Sequence, residues 1–198
     1  MRGMRLILVR HGVTKMNIHK VFQHTDEPLS AEGLNQIAKV ANRLRHEHID
    51  VIFVSSILRA QRTAEEIAKY HPGIAMHVDR RLDEREAGVF RGRPYSDMEE
   101  AIACAGISMA EFVPAGGESW NAVAHRTMDF FHDVFREQHG KNVLVVGHGG
   151  SVTSIVRHVL KWTAEKEVSA SNTGVSIFNI SDQSCTVELL DCTKHLQS

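Results

Sequence analysis

The sequence predicts an α/β fold: a three-layer sandwich with a mainly parallel central sheet, helices on both faces, and a small insertion over the active-site end. Three observations predict it. Unbroken apolar runs recur at residues 6–9, 51–54 and 143–146, and a run without polar alternation is what a strand buried on both faces requires. Segments with helical spacing of apolar residues lie between those runs. The resulting alternation of strand and helix patterns favours parallel pairing through crossover helices.

The elements follow in order. Leu6, Ile7, Leu8 and Val9 form the first strand. Leu34, Ile37, Ala38, Ala41 and Leu44 form the apolar stripe of a first helix, with Ser30 as its N-cap. The run at 51–54 is the second strand, and Ala60, Thr63, Ala64, Ile67 and Ala68 stripe the next helix. A strand is expected at 74–78. Residues 94–118 then break the rhythm with Pro94, Gly106, Pro114, Gly116 and Gly117. That stretch reads as an insertion lying over the sheet edge, with a short helix at 96–103. Val123, Thr127, Phe130, Phe131, Val134 and Phe135 stripe a long helix before the third buried strand. Ile155, Val156, Val159 and Leu160 stripe the last helix, with strands expected at 175–180 and, more weakly patterned, 185–190. No internal repeat or low-complexity tract is present, and residues 1–198 read as one domain.

Composition narrows the function classes. A formal net charge of −1 gives no general attraction to nucleic acid or to an anionic membrane, so an anion site needs locally concentrated charge. The three cysteines, Cys104, Cys185 and Cys192, are odd in number and lack CxxC spacing, which points to reduced thiols in a cytoplasmic protein. The apolar run at 6–9 is too short for a signal segment or a membrane span. Of the thirteen histidines, those in charged or loop-like surroundings, such as His46, His48, His71 and His139, read as solvated surface residues. The informative ones stand beside glycines at strand ends.

In open α/β sheets ligands bind beyond the carboxyl ends of the strands. After the first strand come Arg10, His11 and Gly12; after the second, Ser55, Ser56 and then Arg59; after the third, Gly147, His148, Gly149 and Gly150. Two arginines and two histidines therefore leave one end of the sheet. Guanidinium forks match the oxygens of a phosphoryl group. Gly149 and Gly150, opening a helix, leave backbone N–H groups free to face an anion. Neighbouring positive charge keeps a histidine neutral, and a neutral imidazole can attack phosphorus to give a phosphohistidine. The second histidine can stabilise the transition state.

A leaving alkoxide needs a proton, and Asp83, Glu84 and Glu86 follow another strand. Glu84 is the choice for general acid and then for general base toward water; Asp83 and Glu86 stay open on spacing alone. A zinc site is the competing chemistry, but no HxxxH or HxH pair supports the set and two arginines would repel a dication. No metal and no cofactor are expected. A cysteine nucleophile is disfavoured because no cysteine follows a strand within a glycine-rich turn.

At these positions the sequence resembles the histidine phosphatase (phosphoglycerate mutase-like) superfamily. Arg10-His11-Gly12 with Thr14 and Asn17 resembles the signature RHGxTxxN, and Pro28-Leu29-Ser30 with Gly33 resembles its PLTxxG stretch. Ser55 to Arg59 with Arg62-Thr63-Ala64 resembles the helix bearing the second arginine. Leu82-Asp83-Glu84-Arg85 with Gly88 and Gly92 resembles the proton-donor segment, and Gly116-Gly117-Glu118-Ser119 and Val146 to Gly150 complete the set. The resemblance implies His11 as nucleophile, Glu84 as acid, and Arg10, Arg59 and His148 as the phosphate pocket, with Asn17 and Gln23 lining it. Two departures stand out: His24 where glycine is common, and Gly147 where serine often precedes the second histidine.

Within the family, the stretch from Tyr95 to Ala115 carries no Lys or Arg but holds Asp97, Glu99, Glu100 and Glu111. The basic lid of the mutases is thus missing, and residues 26–30 and 112–118 look most like the fructose-2,6-bisphosphatase-like group. The implied function is a phosphomonoesterase acting on a small phosphorylated metabolite, such as a sugar phosphate or phosphoglycerate-like molecule, through a phosphohistidine. The alternatives are mutase-type phosphoryl transfer, a phosphoprotein phosphatase, and a non-catalytic phosphate-binding module. The partner expected is a small-molecule substrate, with no nucleic acid and no membrane; a monomer and a dimer both remain open.

Overall fold

The computed structural model describes residues 3–162, 168 and 170–197. Six strands form one sheet: β1 (Met4–Arg10), β2 (Val51–Val54), β3 (Ala75–Val78), β4 (Asn142–Gly147), β5 (Val175–Ile180) and β6 (Cys185–Cys192), in the order β3-β2-β4-β1-β5-β6. The first four in that order pair parallel, and β5 and β6 add antiparallel at one edge. The helices are α1 (Lys15–Ile18), α2 (Ala31–Leu44), α3 (Leu58–Ala68), α4 (Tyr95–Ala105), α5 (Trp120–Glu137) and α6 (Gly149–Val159). The α/β expectation and its mainly parallel sheet are borne out.

The unbroken apolar runs have a direct cause. Along β1, Leu6 and Leu8 pack with Phe130 of α5 and Val152 and Ile155 of α6. Ile7 and Val9 face the other way, onto Val40, Ala41 and Leu44 of α2 and Ala60, Ala64 and Ile67 of α3. Strand β4 divides in the same manner, Val143 and Val145 to one side and Leu144 and Val146 to the other. Each apolar residue in these strands therefore has a helix layer to meet, and polar alternation would bury an unpaired group.

Two readings are corrected. In α2 the buried row is Gly33, Ile37, Val40, Ala41 and Leu44, while Leu34 is 56% exposed and Ala38 also faces solvent. Ser30 caps the helix, and Gly33 lies so close to the chain that a Cβ there would sit 2.1 Å from the Val13 carbonyl oxygen. That contact fixes the helix rotation, and the side chains one position later turn outward. His71, expected on the surface, is half-buried and hydrogen-bonded to the Leu44 backbone, and burial lowers its pKa. The insertion forms α4, two residues longer at its C-terminal end than expected and one at its N-terminal end, closed by Gly106 in the left-handed conformation.

Candidate active site

Parallel register brings the distant motifs together. Val146 pairs with Val9 on one side and with Val54 on the other, so β1, β4 and β2 end level. The chain then leaves all three strands side by side: His11 N–H donates to Gly147 O at 3.0 Å, and Ser55 N–H donates to Val146 O at 3.1 Å. The His11 and His148 rings lie 5.0 Å apart between centroids. Arg10 closes β1, and Arg59 stands on the buried face of the first turn of α3.

His11 is fully buried, and its Nδ1 lies 2.7 Å from Gly12 O. A carbonyl only accepts, so Nδ1 carries the proton and Nε2 carries the lone pair. Burial first, then the Arg10 and Arg59 charges, hold the His11 pKa well below the ordinary imidazole value. His148 is equally buried, and its Nε2 lies 2.7 Å from Ser55 Oγ. Ser55 Oγ donates to Asp83 Oδ1 at 2.7 Å and accepts from Ile57 N–H at 3.1 Å. The hydroxyl proton is thus committed to Asp83, and His148 presents Nε2–H to the serine. Burial, His11 and the two arginines keep the His148 pKa far below normal as well.

Four buried nitrogens in this cluster, Arg10 Nε, His11 Nε2, Arg59 Nε and His148 Nδ1, have no hydrogen-bond partner among the described residues. Buried polar atoms are otherwise satisfied almost throughout proteins, so four together mark a place built for a polar ligand. One terminal nitrogen of each guanidinium is fixed: Arg10 Nη1 donates to Ala170 O at 2.8 Å and Arg59 Nη1 to His24 O at 3.0 Å. His24 therefore serves through its backbone carbonyl, while its ring lies over Gly92. The other departure is also accommodated. A Cβ at Gly147 would stand 2.6 Å from Ser151 Oγ, and that hydroxyl accepts from His148 N–H at 3.0 Å.

Geometry separates the three acids. Asp83 accepts from Ser55 Oγ, Ser56 N–H and Ser56 Oγ, each at 2.7 Å, and so braces the exit of β2. Glu86 accepts from Gly88 N–H and pairs with Arg91. Glu84 Oε1 accepts from Arg85 N–H at 3.0 Å and from Gly150 N–H at 3.2 Å, placing the carboxylate at the start of α6 near the Arg10 guanidinium. This revises the expectation for the glycine pair, since the Gly150 N–H holds Glu84. Gly150 admits no side chain: a Cβ would meet Glu84 Oε1 at 2.5 Å and the Trp120 ring at 2.6 Å.

A cavity of about 1710 Å³ opens over this floor, and Arg10, Gln23, Arg59, Glu84 and Gly149 line it. Gln23 accepts from Thr14 Oγ1 at 3.0 Å. Asn17 is placed differently. It forms a reciprocal capping pair with Thr14 and hydrogen-bonds Tyr95, so it braces the turn after His11. Three supports were not legible in the sequence. Asn172 Nδ2 donates to His11 O at 2.9 Å. Arg126 donates to Arg81 O, Glu84 O and Glu118, holding the segment that carries Glu84. Tyr95 lines the insertion side of the cavity. None carries a local motif; only the fold brings them near. Among the described residues no three His, Cys, Asp or Glu side chains gather as metal ligands.

The chain is 35% identical over 131 residues to the fructose-2,6-bisphosphatase TIGAR of Bos taurus, a match covering 64% of this chain and 48% of the relative. The chain thus spans about half the length of that relative. It is 30% identical over 202 residues to a metal-independent phosphoserine phosphatase of Arabidopsis thaliana, covering 98% of this chain and 83% of the relative. The crystal structure of the alpha-ribazole phosphatase from Shigella flexneri superposes with a TM-score of 0.83 at 25% identity, covering 95% of this chain and 96% of that one. The expected resemblance to the fructose-2,6-bisphosphatase-like group agrees with the first of these. The family model of the histidine phosphatase superfamily, branch 1, matches residues 6–193, and the chain belongs to that superfamily.

Proposed function

We propose that the protein is a metal-independent phosphomonoesterase that hydrolyses a small phosphorylated metabolite through a phosphohistidine on His11. The observation that carries the reading is the group of four unpartnered buried nitrogens on Arg10, His11, Arg59 and His148. A phosphoryl group between the arginines gives each of them an acceptor. His11 Nε2 then attacks phosphorus, the bond to the leaving oxygen breaks, and that oxygen takes a proton from Glu84. The guanidiniums stabilise the charge on the transferring group, and His148 joins them as the imidazolium, the bound phosphoryl charge drawing a proton onto the Nδ1 that faces it. Water, with Glu84 now as base, attacks phosphorus, the P–N bond breaks, and inorganic phosphate leaves with His11 neutral again.

Water is the expected acceptor because the insertion brings no cation to the cavity: Tyr95, Met98, Glu99, Ile102 and Met109 are what it presents. The relatives named above include a fructose-2,6-bisphosphatase and a phosphoserine phosphatase, which favours a small molecule over a folded phosphoprotein. The pocket draws on β1, β2, β4 and the insertion, which supports reading residues 1–198 as one functional unit. Three free thiols support a reducing, cytoplasmic setting. No helix among the described residues is long and apolar enough to cross a membrane.

The test is hydrolysis of 4-nitrophenyl phosphate with and without a chelator. Activity should survive chelation, and His11→Ala should reduce it on the order of a thousandfold or more. Acid-labile phosphate bound to the wild-type protein during turnover is expected. Activity lost to chelator and restored by zinc or magnesium would overturn the metal-independent reading, and full activity in His11→Ala would overturn the phosphohistidine.

A further inference from the structure

The cavity is larger than a phosphoryl group needs. Its volume of about 1710 Å³ exceeds the roughly 300–1,000 Å³ usual for a small-molecule pocket, so a sizeable leaving group has room beyond the phosphate floor. One wall of that room is α6 and the turn after it. Gly150, Ser154 and Arg157 line the cavity at spacings of four and three residues, which is one stripe of the helix, and Lys161 lines it from the turn that follows. From Gly150 to Arg157 the rise is about 10 Å. Helical side chains lean toward the N-terminus, so Arg157 reaches back toward the phosphate end.

The cavity's cations differ in their partners. Arg10 and Arg59 belong to the phosphate floor. Arg85 donates to the Glu118 and Phe112 carbonyls and stacks on Trp120. Arg91 is paired with Glu86. Arg157 has no acidic partner among the described residues, and its Nε is buried with no hydrogen-bond partner among them. That is the same unmet state as the two phosphate-floor arginines show. Trp120, Met128, Met98 and Ile102 give the cavity an apolar lining, and the one cation against it, Arg85, is already held there, over Trp120 and donating to Met98 Sδ at 3.4 Å.

We propose that Arg157, with Lys161 beside it, is a second anion-binding point that selects substrates carrying a distal carboxylate or phosphate across an apolar body, on the order of 10 Å from the phosphoryl group that is cleaved. This rests on the phosphatase reading and names its substrate class. A guanidinium whose buried Nε–H is unmet gains most from a charged acceptor. Arg157 touches the leaving group and not the reacting phosphorus, so it sets specificity.

The experiment compares ω-carboxyalkyl phosphates of graded length with alkyl phosphates of the same length, and uses 4-nitrophenyl phosphate as reference. In the wild type, kcat/KM should peak at one chain length in the carboxylate series alone. Arg157→Gln should remove that peak, with KM for the preferred carboxylate substrate rising on the order of tenfold, and leave 4-nitrophenyl phosphate turnover near wild type. Arg157→Lys should restore part of the preference. An identical length profile in both series, or an equal loss of Arg157→Gln on all substrates, would overturn the second site. Absence of 4-nitrophenyl phosphate turnover in the wild type would instead overturn the phosphatase reading on which it rests. Bis-phosphorylated alkyl chains run in parallel distinguish a distal phosphate from a distal carboxylate.

Discussion

The proton on Ser55 Oγ decides the tautomer of His148. Because that proton is held by Asp83, His148 must present Nε2–H to the serine and Nδ1 to the pocket. Ser55→Ala removes the constraint while leaving the His11 and His148 rings in place. The expected result is a fall in kcat on the order of ten- to a hundredfold with a smaller change in KM, and an unchanged circular dichroism spectrum. An unaltered kcat would show that the serine serves packing alone. Glu84→Gln should lose far more activity on an alkyl phosphate than on 4-nitrophenyl phosphate in the first half-reaction, because a nitrophenolate leaves without a proton. Equal losses would remove Glu84 as the acid. The sequence made His11, Arg10, Arg59 and His148 legible, since each directly follows a strand or opens the next helix. It chose Glu84 but left Asp83 and Glu86 open on spacing, because a turn's phase is set by what it packs on; here that is Arg126 and the start of α6.

Among the elements, α2 shows how close backbone approach overrides a plausible stripe. The sequence marks Leu34 as apolar and Gly33 as part of a motif, but no periodicity reveals that Gly33 must lie against Val13. Leu34→Gln is therefore expected to change stability by no more than about 0.5 kcal/mol, whereas Ile37→Ala should cost about 2–5 kcal/mol. Urea unfolding midpoints of the two variants measure the difference directly, and a large loss in Leu34→Gln would return the helix to the rotation its sequence suggests. The strands were easier to foresee. Those buried on both faces have a signature in unbroken apolar runs, whereas β3, exposed along its whole length at the sheet edge, has only a short and mixed one.

For the whole molecule, the buried histidines govern stability in mild acid. His11 and His148 are held neutral mainly by burial, and burial also lowers His71, His158 and His195. The unfolded chain binds these protons at the ordinary value of 6.5 while the folded chain resists them. Their stabilising effect is thus complete above that value and is lost as pH falls below it. His11 and His148, both fully buried, each add up to about 1.4 kcal/mol per pH unit to the slope, and the partly buried His71 and exposed His158 add less because water screens them. The depressed carboxylates, Asp79 and Glu118 among them, act in a lower window, below their ordinary values of 3.8 and 4.5. Unfolding midpoints measured between pH 7 and about 5 should therefore fall with pH, and His148→Gln should flatten that fall. A midpoint independent of pH over this range would contradict the neutral, buried state of the pair.

The position of β1 bears on how the chain reaches its native state. Its two neighbours in the sheet are β4 and β5, residues 142–147 and 175–180, and none of the strands between them in sequence pairs with it. On a ribosome, β1 would emerge ahead of both strands that it pairs with. Helix α2 and the β2–α3–β3 unit can form early, but they present an open slot where β4 must insert before β1 can dock. Long-range closure of this kind slows folding and lengthens the exposure of apolar surface. The residues that carry the chemistry sit on both sides of that final insertion, so activity should appear in refolding only with the last cooperative phase, after most helical signal has returned.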